Sequence, residues 1–210
     1  MDKQTKLSLE KGELLPLMEA FYSIQGEGVH TGSAAYFLRI GGCDVGCHWC
    51  DVKESWDFES HPLTLIDDII VDIKNSPTET IVITGGEPLM WNLNKLTKRL
   101  HQSNYNIHLE TSGAYPLTGS FDWVCLSPKK QQNALKEVRS ITNEFKVIVY
   151  NKHDLKWAKE QAIGLPIDCD LYLQPEWTKR DEIMPLIIDF IKQNKQWKIS
   201  LQSHKYMNVP

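Results

Sequence analysis

The stretch Ala35-Tyr36-Phe37-Leu38-Arg39-Ile40-Gly41-Gly42-Cys43-Asp44-Val45-Gly46-Cys47-His48-Trp49-Cys50 decides how the rest of the chain is read. Its first six residues are a short run of aromatic and branched side chains, the mark of a strand. Two glycines end the run, and three cysteines follow with the spacing Cys-x3-Cys-x2-Cys. A polar, chemically loaded loop at the end of a strand is the unit to look for on either side.

That unit recurs. Strands are expected at residues 18–23, 35–40, 80–84, 106–110, 123–126, 145–150, 171–173 and 198–202. Helices are expected at 65–75, near 93–100, at 154–162 and at 185–194. In the first, Ile66, Ile69, Ile70 and Ile73 repeat at helical spacing, Thr64 is placed to cap it and Pro77 follows its end. Pro185 is expected in the first turn of the last helix. Strands alternating with helices imply right-handed βαβ units and a mainly parallel sheet. With 210 residues there is little room for a full eight-unit barrel, which needs about 250. The expectation is α/β: a partial, splayed (β/α) barrel in a single domain over 1–210, with 1–16 as an N-terminal extension. Polar clusters end the strands: Gln25-Gly26-Glu27-Gly28, the cysteine loop, Gly85-Gly86-Glu87-Pro88, Thr111-Ser112-Gly113, Ser127-Pro128-Lys129, Gln174-Pro175 and Ser203-His204-Lys205. Barrel-like α/β folds carry their active sites on such loops, so an enzyme with all seven clusters on one rim is expected.

Composition narrows the class. Lys plus Arg is 23 against 27 Asp plus Glu, a formal charge of −4, which argues against non-specific binding to nucleic acid or an anionic membrane. No apolar run reaches the roughly 18 residues of a membrane span, and the first 12 residues lack the apolar core of a secretion signal. A cytoplasmic protein is expected. In that reducing compartment the five cysteines, an odd number, point to metal or redox chemistry rather than disulfides.

Cys43, Cys47 and Cys50 can turn three soft thiolates toward one point, which suits an iron–sulfur cluster, zinc or copper(I). A 4Fe–4S cluster usually takes four cysteines, so three leave one iron open to another ligand. The competing readings are zinc held by these three with His48, and three unrelated thiols. Zinc is disfavoured because no second Cys pair exists, and unrelated thiols because Gly41, Gly42 and Gly46 mark a loop. His48 then stands apart from the metal. Cys125 and Cys169 lie in strand-like apolar settings and are read as inert core thiols.

Cys-x3-Cys-x2-Cys resembles the signature of the radical S-adenosylmethionine (SAM) superfamily, and Thr84-Gly85-Gly86-Glu87-Pro88 resembles its glycine-rich motif. A narrower likeness runs from about residue 17 onward. Ser23-Ile24-Gln25-Gly26-Glu27-Gly28, Arg39, His108-Leu109-Glu110-Thr111-Ser112-Gly113, Leu126-Ser127-Pro128-Lys129, Leu173-Gln174-Pro175 and Ser200-Leu201-Gln202-Ser203-His204-Lys205 together resemble the 7-carboxy-7-deazaguanine synthase family.

The resemblance implies ring contraction of 6-carboxy-5,6,7,8-tetrahydropterin with loss of ammonia, a step toward queuosine. It implies a 4Fe–4S cluster on Cys43, Cys47 and Cys50, with SAM on the open iron, cleaved to methionine and a 5′-deoxyadenosyl radical. Trp49, Cys50, Asp51, Gly86, Ser127, Pro128, Lys129, Gln174, Pro175, Glu176 and Trp177 would border SAM. Ile24, Gln25, Gly26, Glu27, Arg39, Thr84, His204 and Pro210, the last through its carboxylate, would meet the pterin. An electron donor such as flavodoxin or ferredoxin and a homodimer are implied; no nucleic-acid or membrane partner is. The family places Thr or Ser, a Mg²⁺ ligand, two residues after the last cysteine. Here that residue is Val52, which has no oxygen, so a Mg²⁺ site is in doubt and Lys53 is a candidate substitute cation. The rival readings are a glycyl-radical activase of the same superfamily and a non-catalytic zinc or iron–sulfur module.

Only Cys43, Cys47 and Cys50 share a loop with ligand spacing. Changing any one of them to Ala should abolish bound iron in anaerobically purified protein, whereas Cys125→Ala and Cys169→Ala should retain it. Iron and sulfide analysis of the five variants checks this.

Overall fold

A computed structural model describes all 210 residues, Met1–Pro210. Helix α1 (Lys3–Glu10) is followed by strands β1 (Leu14–Ile24), β2 (Ala34–Ile40) and β3 (Leu63–Leu65). Then come α2 (Ile66–Ile73), β4 (Thr80–Gly85), α3 (Asn94–Gln102), β5 (Asn106–Thr111), β6 (Trp123–Leu126), α4 (Lys136–Ser140) and β7 (Glu144–Val149). The chain closes with α5 (His153–Ala162), β8 (Asp170–Pro175), α6 (Arg180–Gln193), β9 (Trp197–Ile199) and α7 (Ser203–Met207). One nine-stranded sheet has the order β3-β1-β2-β4-β5-β6-β7-β8-β9. From β2 to β9 every neighbouring pair is parallel, and β1 runs antiparallel to both β2 and β3. The sheet is not closed, in keeping with the partial barrel expected.

The two faces of this sheet are chemically opposite. Leu38, Ile40, Ile81, Ile83, Ile107, Leu109, Val124, Leu126, Phe145, Val147 and Leu173 face the helices. There they join Ile69, Ile73, Leu96, Leu100, Ala158, Ile183 and Ile187 in a core of 28 buried residues. The alternate positions, among them Arg39, Thr84, Glu110, Lys146 and Gln174, face the concave side and line a cavity. Period-2 alternation in each strand divides scaffold from site.

Several expectations are corrected. Thr64 does not cap α2: it lies in β3, opposite Leu15, and Leu65 occupies the cap position with no side-chain bond. The last helix starts at Arg180, so Pro185 sits inside it rather than in its first turn. Leu14–Pro16 pair with β3, and Leu15 is fully buried, so they belong to the sheet and not to an extension. Helices α1, α4 and α7 and strand β3 were not anticipated. The seven polar clusters do not share one rim. Because β1 is antiparallel, Ile24 pairs with Ala34 at the start of β2, which puts Gln25-Gly26-Glu27-Gly28 at the opposite end of the strands. From there the loop crosses the open side of the barrel. Gly28 N–H donates to Ser200 Oγ at 3.0 Å, Val29 N–H to Glu144 Oε2 at 3.0 Å, and Ser203 N–H to Gly26 O at 2.9 Å.

Leu109 is fully buried on β5, in the middle of the sheet. Leu109→Ala should destabilise the fold by about 3 kcal/mol through lost transfer energy and the cavity left behind, read from urea denaturation midpoints.

Candidate functional site

The cysteine loop is held from below by backbone. Gly86 N–H donates to Ile40 O and Glu87 N–H to Gly42 O, both at 2.8 Å. A Cβ on Gly86 would stand 2.3 Å from Gly42 O and 3.1 Å from the Cys43 Cβ, so only glycine permits this approach. Gly85, at φ +126°, would put a Cβ 2.4 Å from the Ile40 backbone. Gly42 N–H bonds Ser55 O at 2.6 Å and Cys43 N–H bonds Trp56 O at 3.2 Å, closing the far side of the loop.

Cys47 is buried, and Cys43 and Cys50 are half-buried. Burial pushes the Cys43 and Cys47 thiols up, and neighbouring thiols raise them further. Cys43, Cys47 and Cys50 line one cavity wall, and the two thiols that burial keeps protonated lack a cationic partner able to hold them as thiolates. A multivalent iron centre supplies the missing positive charge, and thiolate is its preferred ligand. The residues therefore fit a cluster. His48 is exposed, packs edge-on to Tyr150 at 4.9 Å and does not line the cavity, so it stands away from the metal site.

The cavity has a volume of about 260 Å³. Of the residues assigned to ligands from the sequence, only Pro128 lies outside its wall. On the cysteine-loop side, Lys129 Nζ bonds Ser127 O at 2.5 Å and Ser127 Oγ at 2.7 Å, and lies over the Trp49 ring. Burial pushes its pKa down. Glu176 caps the turn Trp177–Lys179 through Thr178 N–H at 3.1 Å and Lys179 N–H at 3.2 Å. Gln174 Oε1 accepts from Ser200 Oγ at 2.7 Å. On the opposite side, Gln25 Nε2 donates to Glu110 Oε1 at 2.9 Å and Thr84 Oγ1 to Glu110 Oε2 at 3.4 Å. Arg39 Nη1 is engaged by Glu19 at 2.8 Å, and its guanidinium lies 5.0 Å from the Phe21 ring centroid. Burial pushes His204 down. Pro210 also lines the wall, its O accepting from Ser23 Oγ at 3.2 Å.

The residues near Val52 do not fit Mg²⁺. Val52 lines the cavity without a side-chain oxygen, its carbonyl accepts from Ser55 Oγ at 2.6 Å, and the adjacent carboxylate, Asp51, is taken by Lys205 Nζ at 2.6 Å and Gln202 Nε2 at 3.2 Å. Lys53 is exposed, lies over the Trp56 ring and is not part of the cavity wall. The cation beside Asp51 is Lys205, not Lys53.

The sequence reading assigned no role to Glu87, Glu110 or Lys146. Glu87 is nearly fully buried and accepts from Thr111 Oγ1 at 2.5 Å, Ser112 N–H at 2.8 Å, Leu89 N–H at 3.1 Å and Ser112 Oγ. It ties the loop after β4 to the loop after β5. Glu110 alternates with Ile107 and Leu109 on β5, as Lys146 does with Phe145 and Val147 on β7, so both fall on the strand face away from the apolar core. Cys125 is corrected as well: it is buried, but on the polar concave face, with Sγ 3.5 Å from Glu144 Oε1. Burial first, and then Glu144, push its pKa far up, so it is inert. Cys169, pushed up to about 12 by burial and Asp170, is inert too.

Residues 38–124 match the family profile of the Radical SAM superfamily. Over 210 residues, covering the whole of both chains, the sequence is 55% identical to the 7-carboxy-7-deazaguanine synthase of Flavobacterium psychrophilum. It is 43% identical to the synthase of Synechocystis over 92% of this chain and 93% of the relative. The chain belongs to the 7-carboxy-7-deazaguanine synthase family. The crystal structure of QueE from Escherichia coli is similar in fold, with a TM-score of 0.82 and 28% identity over 97% of this chain and 100% of that one. Within this radical SAM family the Cys43 loop and the Gly86 loop occupy the place where strand ends meet the cavity, and no helix is long and apolar enough to cross a membrane.

Replacing Glu87 by Ala leaves buried donors on Leu89, Thr111 and Ser112 without an acceptor. The cost should be about 3 kcal/mol, measured by chemical denaturation, since each unmet donor costs about 1–3 kcal/mol before relaxation.

Proposed function

We propose that the chain contracts 6-carboxy-5,6,7,8-tetrahydropterin to 7-carboxy-7-deazaguanine with loss of ammonia, using SAM and a 4Fe–4S cluster on Cys43, Cys47 and Cys50. The observation that carries this reading is the single cavity joining the cysteine loop to a wall of hydrogen-bonding side chains suited to a pterin carboxylate. When bound, the cluster and SAM supply an organic radical that removes a hydrogen atom from the substrate. The chain's own residues do the rest. Trp49, Asp51, Ser127, Lys129, Gln174, Glu176 and Trp177 border SAM, and Gly86 keeps the glycine-rich loop against the cysteine loop. Gln25, Glu27, Thr84 and His204 receive the donor and acceptor edge of the pterin. Ile24, Gly26 and Pro210 complete that wall. Arg39 has one guanidinium nitrogen on Glu19, and its remaining N–H groups are free for the substrate carboxylate.

No side-chain oxygen is offered at Val52, so this enzyme should depend less on Mg²⁺ than relatives with Thr or Ser at that position. A flavodoxin or ferredoxin as electron donor and a homodimer follow from the family likeness, and a cytoplasmic location from the sequence composition. The deciding experiment is anaerobic turnover of the carboxypterin by the reconstituted enzyme, measured with and without added Mg²⁺. Product formation supports the reading. Bound iron without product would favour the activase, and a zinc protein without iron would favour the non-catalytic module.

A point charge cannot reproduce the planar fork of arginine. Arg39→Lys should weaken carboxypterin binding more than tenfold, at least about 1.4 kcal/mol, with SAM affinity unchanged. Equilibrium binding of each ligand checks it, and equal losses would make Arg39 structural.

A further inference from the structure

A lysine is buried in the concave face with no part in the reaction as described. Lys146 projects from β7 between Phe145 and Val147, which point the other way into the apolar core. Its side chain is 4% exposed, and its Nζ lies 2.5 Å from Glu27 Oε2. The second oxygen of Glu27 accepts from Gln202 Nε2 at 3.0 Å. Each carboxylate oxygen offers two lone-pair sites, so one on each remains for a ligand.

Burying an ammonium is costly, and a group retained at that cost needs a partner it serves. A tether for the Gln25–Gly28 loop is an insufficient reason. That loop is already fixed by Gly28 N–H to Ser200, Val29 N–H to Glu144 and Ser203 N–H to Gly26 O. What those bonds do not supply is charge. Glu27 shares the wall of a small pocket with Glu144 on β7, Glu110 on β5 and Cys125 on β6, and His204 on α7 acts on it from the other side. Lys146 is the cation paired with Glu27 among them. Burial pushes the Glu27 carboxyl up, but Lys146, Gln202 and His204 outweigh it and hold the group below its ordinary value. Burial likewise pushes Lys146 down, and the surrounding Cys125, Glu110, Glu27 and Glu144 hold it well above.

We propose that Lys146 is a positioning residue: its ammonium holds Glu27 as an oriented anion in the cavity wall, so that the carboxylate accepts charge-assisted hydrogen bonds from the N–H edge of the pterin. This rests on the placement of Glu27 against the substrate given above. Hydrogen bonds to an ionised acceptor are roughly twice as strong as neutral ones, so a protonated Glu27 would bind that edge poorly.

The test uses the reconstituted enzyme and measures carboxypterin and SAM dissociation constants from pH 6 to 9 for wild type, Lys146→Met, Glu27→Gln and the double variant. Lys146→Met should weaken the pterin at least tenfold at pH 7, recover affinity as Glu27 ionises at higher pH, and leave SAM within twofold. In the Glu27→Gln background, Lys146→Met should add less than twofold. Equal losses for pterin and SAM, or a full additional loss in the double variant, would overturn the proposal in favour of a tether. A loss in Glu27→Gln with none in Lys146→Met overturns the role of Lys146 alone. No loss in Glu27→Gln overturns the substrate placement and the proposal with it. Should Lys146→Met fail to fold, Lys146→Arg decides: pterin affinity within threefold of wild type supports the role, and a tenfold loss overturns it.

Discussion

Everything at the active end of the barrel depends on two backbones touching where neither has a side chain. The loop after β2 carries the cysteines and the loop after β4 carries Gly86, and the two are joined by Gly86 N–H to Ile40 O and Glu87 N–H to Gly42 O. That contact sets the height of Cys43 above the sheet. Glu87 then carries the constraint onward to Thr111 and Ser112 on the neighbouring strand. A rigid floor built from three adjacent strand ends lets a cysteine loop without regular structure keep its sulfurs in place.

Much of the fold was legible in the sequence because the strands announce themselves by composition and the helices by period. The four isoleucines of α2 repeat at helical spacing and are all buried, while Val71 faces out. What could not be read was direction. Nothing local tells β1 that it runs against β2, since an antiparallel strand has the same side-chain alternation as a parallel one. The error was therefore specific: Gln25-Gly26-Glu27-Gly28 was expected on the same rim as the cysteines and lies at the other end, yet still reaches the cavity. Thr64 misled for a related reason. A Ser or Thr before an apolar periodic run signals a cap, but here the residue is held in a three-residue strand against Leu15.

The site was legible as motifs and incomplete as a wall. Motif reading finds residues in polar clusters at strand ends and misses polar residues inside apolar strands. Lys146 belongs to the second kind, whereas Glu110 stood inside the motif His108–Gly113 without a role assigned to it. The signal of Lys146 was the break in a hydrophobic run, Phe145-Lys146-Val147, which would be a defect in a strand buried on both faces. It is no defect here, because one face of the sheet turns to a polar cavity. Counting the residues that break each run gives the ring of polar groups that surrounds the ligands.

The bonds that close the open side of the barrel have a kinetic meaning. Strand pairs β1–β2 and β4–β5 join near neighbours in the chain. By contrast, Gly28 meets Ser200 across 172 positions, Gln202 meets Glu27 across 175, and Lys205 meets Asp51 across 154. Contacts of such separation carry the largest loop-closure entropy and form after the local scaffold has paired. The cavity is thus expected to assemble last during folding. The same polar, partly solvated bonds bury little apolar surface, so they open at lower free energy than the core and admit ligands without disturbing the sheet.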